Sequence, residues 1–214
     1  MAKKLRDPVS GFTHLAGAIM SIIGTVVLVI YGTRQGTAMH ITAFSIFGAS
    51  LILLYTASTL YHLLPVSKKA ISILRKIDHI MIYILIAGTY TPLCLISLSG
   101  KLGLGLLISI WSLALIGITL KLVWFNAPRW LYTGFYLIMG WLAVIAIFPM
   151  AKKIPSLGIW LILTGGISYT LGAVIYGTKW PGKNAKIFGF HEIFHIFVMI
   201  GSLLHYLFVL NFAI

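Results

Sequence analysis

Acidic side chains are almost missing from this sequence. It has 3 Asp and Glu residues in 214, against 16 Lys and Arg, and charges of either sign make up only 9% of it. An average soluble domain carries about 25% charged residues. A compact fold of this size must leave much of its chain facing water. With 60% hydrophobic residues and a mean hydropathy of +1.03, an ordinary soluble protein and a disordered chain are both excluded. The net charge of +13 would suggest nucleic acid in a soluble protein. In so apolar a chain it points instead to loops facing a cytoplasm and an anionic leaflet, with no nucleic-acid partner. Cysteine is nearly missing too. Cys94 stands alone in an apolar run, so no internal disulfide can form. The charged start, Met1 to Asp7, is followed by no cleavable signal pattern, so the first apolar stretch is expected to stay as a membrane span.

What is present is a series of long apolar runs. A membrane-crossing helix needs roughly 20 such residues. Seven stretches qualify, at 14–32, 41–63, 79–98, 102–125, 131–149, 157–178 and 190–212. The expected fold is an all-α, single-domain bundle of seven transmembrane helices. Between the runs lie short segments holding Gly, Pro, Asn, Ser and most of the basic residues. Trp124, Trp130, Trp160 and Trp180 fall near the ends, as an interfacial belt would place them. The basic residues divide unevenly. The N-terminal tail and the second, fourth and sixth loops carry 12 of the 16, and the other side carries Arg34, Lys101, Lys152 and Lys153. That imbalance puts the N-terminus in the cytoplasm and the C-terminus outside, as expected of a multi-pass membrane protein. The orientation is the reverse of a rhodopsin-like receptor.

Ionisable groups inside spans are costly and usually functional. Here they gather at one depth. Asp7 and His14 open the first span, Ser58 and His62 close the second, Asp78 and His79 open the third, and His191, Glu192 and His195 open the seventh. All are expected near the cytoplasmic face. His191 and His195 are four residues apart, so both imidazoles project from one helical face as a two-ligand platform. His62 can supply a third ligand, completing the catalytic zinc pattern of three protein ligands and one solvent position. Zinc would bring the pKa of that water toward ~7, and Asp78 would orient it or take its proton. Ser58, one turn deeper than His62, is placed to bond a ligand or a tetrahedral intermediate. His205 lies ten residues beyond His195, about 15 Å deeper, too far to share the metal. The run His191 to His195 also spells H-E-x-x-H, the zincin signature with Glu as general base, so an intramembrane metalloprotease is an alternative. Nothing acidic follows Glu192, however, and a loop lysine, Lys183 or Lys186, could pair with it.

Taken together, several motifs resemble the hemolysin III family. They are Thr13-His14, Ser58-Thr59-Leu60-Tyr61-His62, Ile77-Asp78-His79, Gly88-Thr89-Tyr90-Thr91-Pro92 and Phe190-His191-Glu192-Ile193-Phe194-His195. That family sits with the progestin and adipoQ receptors and the alkaline ceramidases in one superfamily of membrane hydrolases, and the resemblance covers nearly the whole chain. It implies Zn2+ held by His62, His191 and His195, with Asp78 reaching the metal through water and Ser58 in the same site. His14, His79, Glu192 and Asp7 are candidates for the surrounding shell. The N-terminal motif departs from the family's usual Glu-x-x-Asn, reading Asp7-x-x-Ser10 here. The motifs look like the bacterial branch, which implies a bacterial plasma membrane, and the resemblance further implies hydrolysis of a lipid amide, a role in membrane-lipid homeostasis, or cytolysis. A non-catalytic regulator or receptor built around a structural zinc is the alternative of another class.

Overall fold

The computed structural model describes residues 5–98, 100–182 and 188–213. Among them the regular elements are all helical. They are α1 (Pro8–Gln35), α2 (Ala38–Leu63), α3 (Lys68–Pro92), α4 (Gly100–Val123), α5 (Arg129–Trp141), α6 (Val144–Ala151), α7 (Ser156–Thr178) and α8 (Phe190–Phe212), with a π-helical segment, Leu93–Leu98, after α3. Seven spans are long and apolar enough to cross a membrane, the fifth being α5 and α6 together. The expected bundle is therefore present.

The helices outrun the expected spans at their polar ends. α1 begins at Pro8 rather than at residue 14, and α3 at Lys68 rather than at residue 79. Hydropathy marks the hydrocarbon, whereas a helix stops where its caps are. Pro8 fits the first turn because its missing N–H needs no partner there, and Ser67 caps α3 by accepting the N–H of Ala70 at 3.3 Å. Asp78 and His79 thus sit three turns inside a helix, not at its start.

Two irregularities were not expected. Pro92 cannot donate to the helix ladder, and the π-helical segment follows directly. The fifth span breaks at Leu142 and Ala143, and the Tyr90 hydroxyl reaches the carbonyls of Met139 and Gly140 there at 2.9 and 2.6 Å. Carbonyls freed at a break within a membrane need such a partner.

Side chains divide by face. Ile19, Met20, Ile23 and Val26 of α1 point outward to where lipid would lie, while Phe44, Phe47, Tyr83, Ile110 and Met139 form the core. With lipid as solvent, helices associate by close packing over small residues. Gly48 lies against Thr25 and Gly88 against Ser50, and a Cβ at either glycine would collide with its neighbour. Trp124, Trp130, Trp160 and Trp180 are all exposed near helix ends.

Candidate metal centre

The last turn of α2 and the first turns of α1 and α8 meet at one end of the bundle. His62, His191 and His195 each bring a ring nitrogen there, all within 4.8 Å of one another. His62 Nε2 and His191 Nε2 are 3.1 Å apart. Two ring nitrogens that close need a proton or a cation between them. Two nitrogens bound at 2.0–2.1 Å to one tetrahedral zinc would be separated by about 3.3 Å. The three histidines could hold a metal ion, and the spacing of this pair is compatible with zinc.

The opposite edges of two rings are held from behind. His62 Nδ1 lies 3.3 Å from Asp7 Oδ2, and His195 Nδ1 lies 3.3 Å from the Ser10 carbonyl. A carbonyl oxygen only accepts, so His195 Nδ1 carries the ring proton and Nε2 keeps its lone pair. Such carboxylate and carbonyl contacts orient metal-binding histidines in known zinc sites. The Asp7 backbone N–H also donates to the His62 carbonyl at 3.0 Å, so this residue grips the end of α2 twice.

Glu192 acts one step further out. Its Oε1 accepts from Ser10 Oγ at 2.8 Å and its Oε2 from the Gly189 N–H at 2.9 Å. It closes its own helix N-terminus and fixes Ser10, whose carbonyl fixes His195. Those two contacts tie the carboxylate to the helix start and to Ser10. The proposed pairing of Glu192 with Lys183 or Lys186 lies outside the described residues. His14 stacks face to face on His195, with ring centroids 3.6 Å apart. Both His14 nitrogens are buried without a hydrogen-bond partner.

Ser58, Asp78 and His79 stand beside this cluster. Asp78 lies against Ser58, whose hydroxyl is buried without a hydrogen bond of good geometry. His79 is not among the three converging histidines; its ring edge meets Phe125 and Tyr132 with centroids 6.2 and 5.6 Å distant. Two cavities meet here. A polar mouth is walled by Asp7, His62, Arg75, Asp78, Arg129 and His191 among others. A long apolar cavity runs inward past Leu85, Leu93, Ile147 and Ile162 to Val209. Asp78, His79, Tyr176 and His191 belong to both walls. From His195 to Val209 along α8 the apolar cavity covers about 21 Å.

Sequence reasoning passed over three contributors. Ser10 stands three residues after Asp7 and four before His14, a helical stripe that could have flagged it. Arg129 donates to the Tyr176 carbonyl at 3.0 Å and lies 4.5 Å over the Tyr176 ring, and that ring borders His191 with centroids 5.8 Å apart. Nothing in their local sequence marks Arg129 or Tyr176, because each reaches the site only through packing.

Comparison with known proteins gives the same picture. The family described as "Haemolysin-III related" matches residues 2–206. The chain is 44% identical over 193 residues to "Hemolysin-3 homolog" of Bacillus subtilis (strain 168), covering 90% of this chain and 87% of that one. It is 41% identical over 207 residues to "Hemolysin-3" of Bacillus cereus, covering 96% and 90%. It is 27% identical over 203 residues to "Monocyte to macrophage differentiation factor" of Homo sapiens, covering 91% and 79%.

Proposed function

This chain belongs to the haemolysin-III-related family, and from that premise we propose that it is a zinc-dependent hydrolase of a lipid amide. It is placed in a bacterial plasma membrane, with the N-terminus and the metal centre on the cytoplasmic side. The observation that carries this reading is the junction of a three-histidine cluster with an apolar cavity about 21 Å long. That length is roughly two-thirds of a ~30 Å hydrocarbon core, so a lipid chain fits the cavity while its polar end meets the histidines. The substrate arrives through the bilayer, and membrane lipids are the partners.

His62, His191 and His195 would hold the metal. Zinc, when bound, supplies a Lewis acid and makes water ionisable near neutral pH. Asp78, in the wall shared by both cavities, accepts the proton of the attacking water. The water oxygen bonds to the amide carbon, the carbon–nitrogen bond breaks, and Asp78 returns the proton to the leaving amine. The Ser58 hydroxyl donates to the carbonyl oxygen as charge develops on it. Asp7 and Ser10 keep two imidazoles aimed, and Glu192 keeps Ser10 in place.

The test is turnover of a long-chain N-acyl amide by purified, zinc-loaded protein in lipid nanodiscs. Zinc-dependent release of fatty acid is expected. Asp78→Asn should lower the rate by about 100-fold or more with zinc content unchanged. Absence of turnover across acyl amides of varied chain and head group would overturn the hydrolase reading. A second reading follows the printed name of the Bacillus cereus relative. A cytolytic protein should leak dye from liposomes without consuming any lipid.

A further inference from the structure

Halfway along the apolar cavity the wall turns polar. Tyr169 of α7 and His205 of α8 both line it. Ser202, one turn before His205, joins two aromatic hydroxyls: Tyr55 donates to Ser202 Oγ at 2.8 Å, and Tyr169 Oη lies 2.8 Å from the same oxygen. His205 Nε2 lies 3.2 Å from the Ile162 carbonyl, and its ring packs against Tyr169 with centroids 5.5 Å apart. Close helix approach fixes this group. Gly165 receives the His205 ring and Gly201 receives the Tyr169 ring, with no room for a Cβ at either.

Protons in the cluster do not balance. Tyr55, Ser202 and Tyr169 bring three hydroxyl protons, and two contacts between them consume two. The Ile162 carbonyl only accepts, so His205 Nε2 carries the ring proton and Nδ1 is a bare acceptor. That Nδ1 is buried with no hydrogen-bond partner among the described residues. Leaving a buried acceptor unmade costs its desolvation without return, and ionisable residues at membrane depth are rare without a role. A packing role accounts for the Nε2 contact. It leaves both the spare hydroxyl proton and the empty Nδ1 unexplained.

We propose that Tyr169 and His205, braced by Ser202, form a subsite for a hydroxyl group carried partway along the chain of the lipid ligand. With Ser202 donating to Tyr169, a hydroxyl answers both needs at once: it accepts the Tyr169 proton and donates its own to His205 Nδ1. A carbonyl could do only the first, and a plain methylene neither. Ser202 and His205 lie seven and ten residues beyond His195, so the subsite is about 10–15 Å from the histidine cluster. The cavity continues past it to Val209, so the chain passes the station rather than ending there. The inference rests on the lipid reading above and narrows it to mid-chain hydroxylated lipids.

The test is binding rather than turnover. Zinc-loaded protein in nanodiscs is titrated with stearate and with its mid-chain hydroxylated counterpart, each displacing a fluorescent fatty acid. The hydroxylated chain should bind about 3- to 10-fold tighter. Tyr169→Phe and His205→Phe, which keep ring volume, should each erase the preference, so that the two chains bind alike, with zinc content unchanged. If His205→Phe fails to fold, Tyr169→Phe alone decides. Equal binding of the two chains by the unaltered protein would overturn the subsite, meaning that water alone satisfies the cluster, while the lipid reading stands. Failure of both chains to bind would overturn the lipid reading and the subsite with it.

Discussion

Asp7 Oδ2 lies 3.3 Å from His62 Nδ1, joining the N-cap of α1 to the last turn of α2 across 55 residues of sequence. The same carboxylate oxygen accepts from Arg6 Nε at 3.2 Å. The contact holds the His62 ring so that its Nε2 faces His191. Removing it should loosen one metal ligand without deleting it. We expect Asp7→Ala to weaken zinc binding about 10- to 100-fold, measured by competition with a chromophoric chelator. Asp7→Asn should lose less, since an amide oxygen still accepts. Unchanged affinity in Asp7→Ala would remove Asp7 from the site.

Adjacent glycines give opposite expectations for stability. A Cβ on Gly165 would strike the His205 ring, whereas one on Gly166 meets nothing within 4 Å. Gly165→Ala should cost about 1–3 kcal/mol through overpacking, which lowers Tm by several degrees in a protein of this size. Gly166→Ala should be neutral or slightly stabilising, because alanine is the better helix former by up to about 1 kcal/mol. Thermal unfolding in detergent compares the two. Equal effects would contradict the close α7–α8 seam that fixes the polar station.

Gly166 also lines the apolar cavity. Gly166→Phe should therefore fill part of it. Binding of long fatty acids should fall about 10-fold or more relative to short ones, measured by displacement of a fluorescent chain. A uniform loss across chain lengths would speak against the cavity as the chain's seat.

Much of this was legible in the sequence, for physical reasons that also set the limit. The seven spans follow from hydropathy because lipid tolerates few polar groups. His191 and His195 declare their shared face through helical spacing, and His62 joined them by depth alone. Depth could not tell which of the remaining groups turn inward. His79 shares the level and packs on Phe125 and Tyr132, lining both cavities without joining the three-histidine group. The H-E-x-x-H run looked catalytic, yet Glu192 caps its helix through Gly189 and holds Ser10. The helices α1 and α3 extend beyond the apolar runs because charged turns can stay helical once they leave the hydrocarbon. Ser10 stands on the Asp7–His14 stripe, but its contact to His195 runs through a backbone carbonyl, so its residue type alone does not announce it.

Orientation rests on the division of basic residues and is open to direct test. In a Cys94→Ser background, Ser67→Cys should react with a membrane-impermeant maleimide only after the cytoplasmic face is exposed. Lys152→Cys should react in intact cells. The reverse pattern would place the histidine cluster on the outer side.

The central claim is that His62, His191 and His195 hold a metal. Elemental analysis of protein purified without added metal tests it most directly. The account predicts about one zinc per chain, reduced to near zero in His195→Ala and in His191→Ala and retained in His79→Ala. A protein that carries no zinc and takes up none, or one whose zinc survives the loss of each of the three histidines, would contradict it.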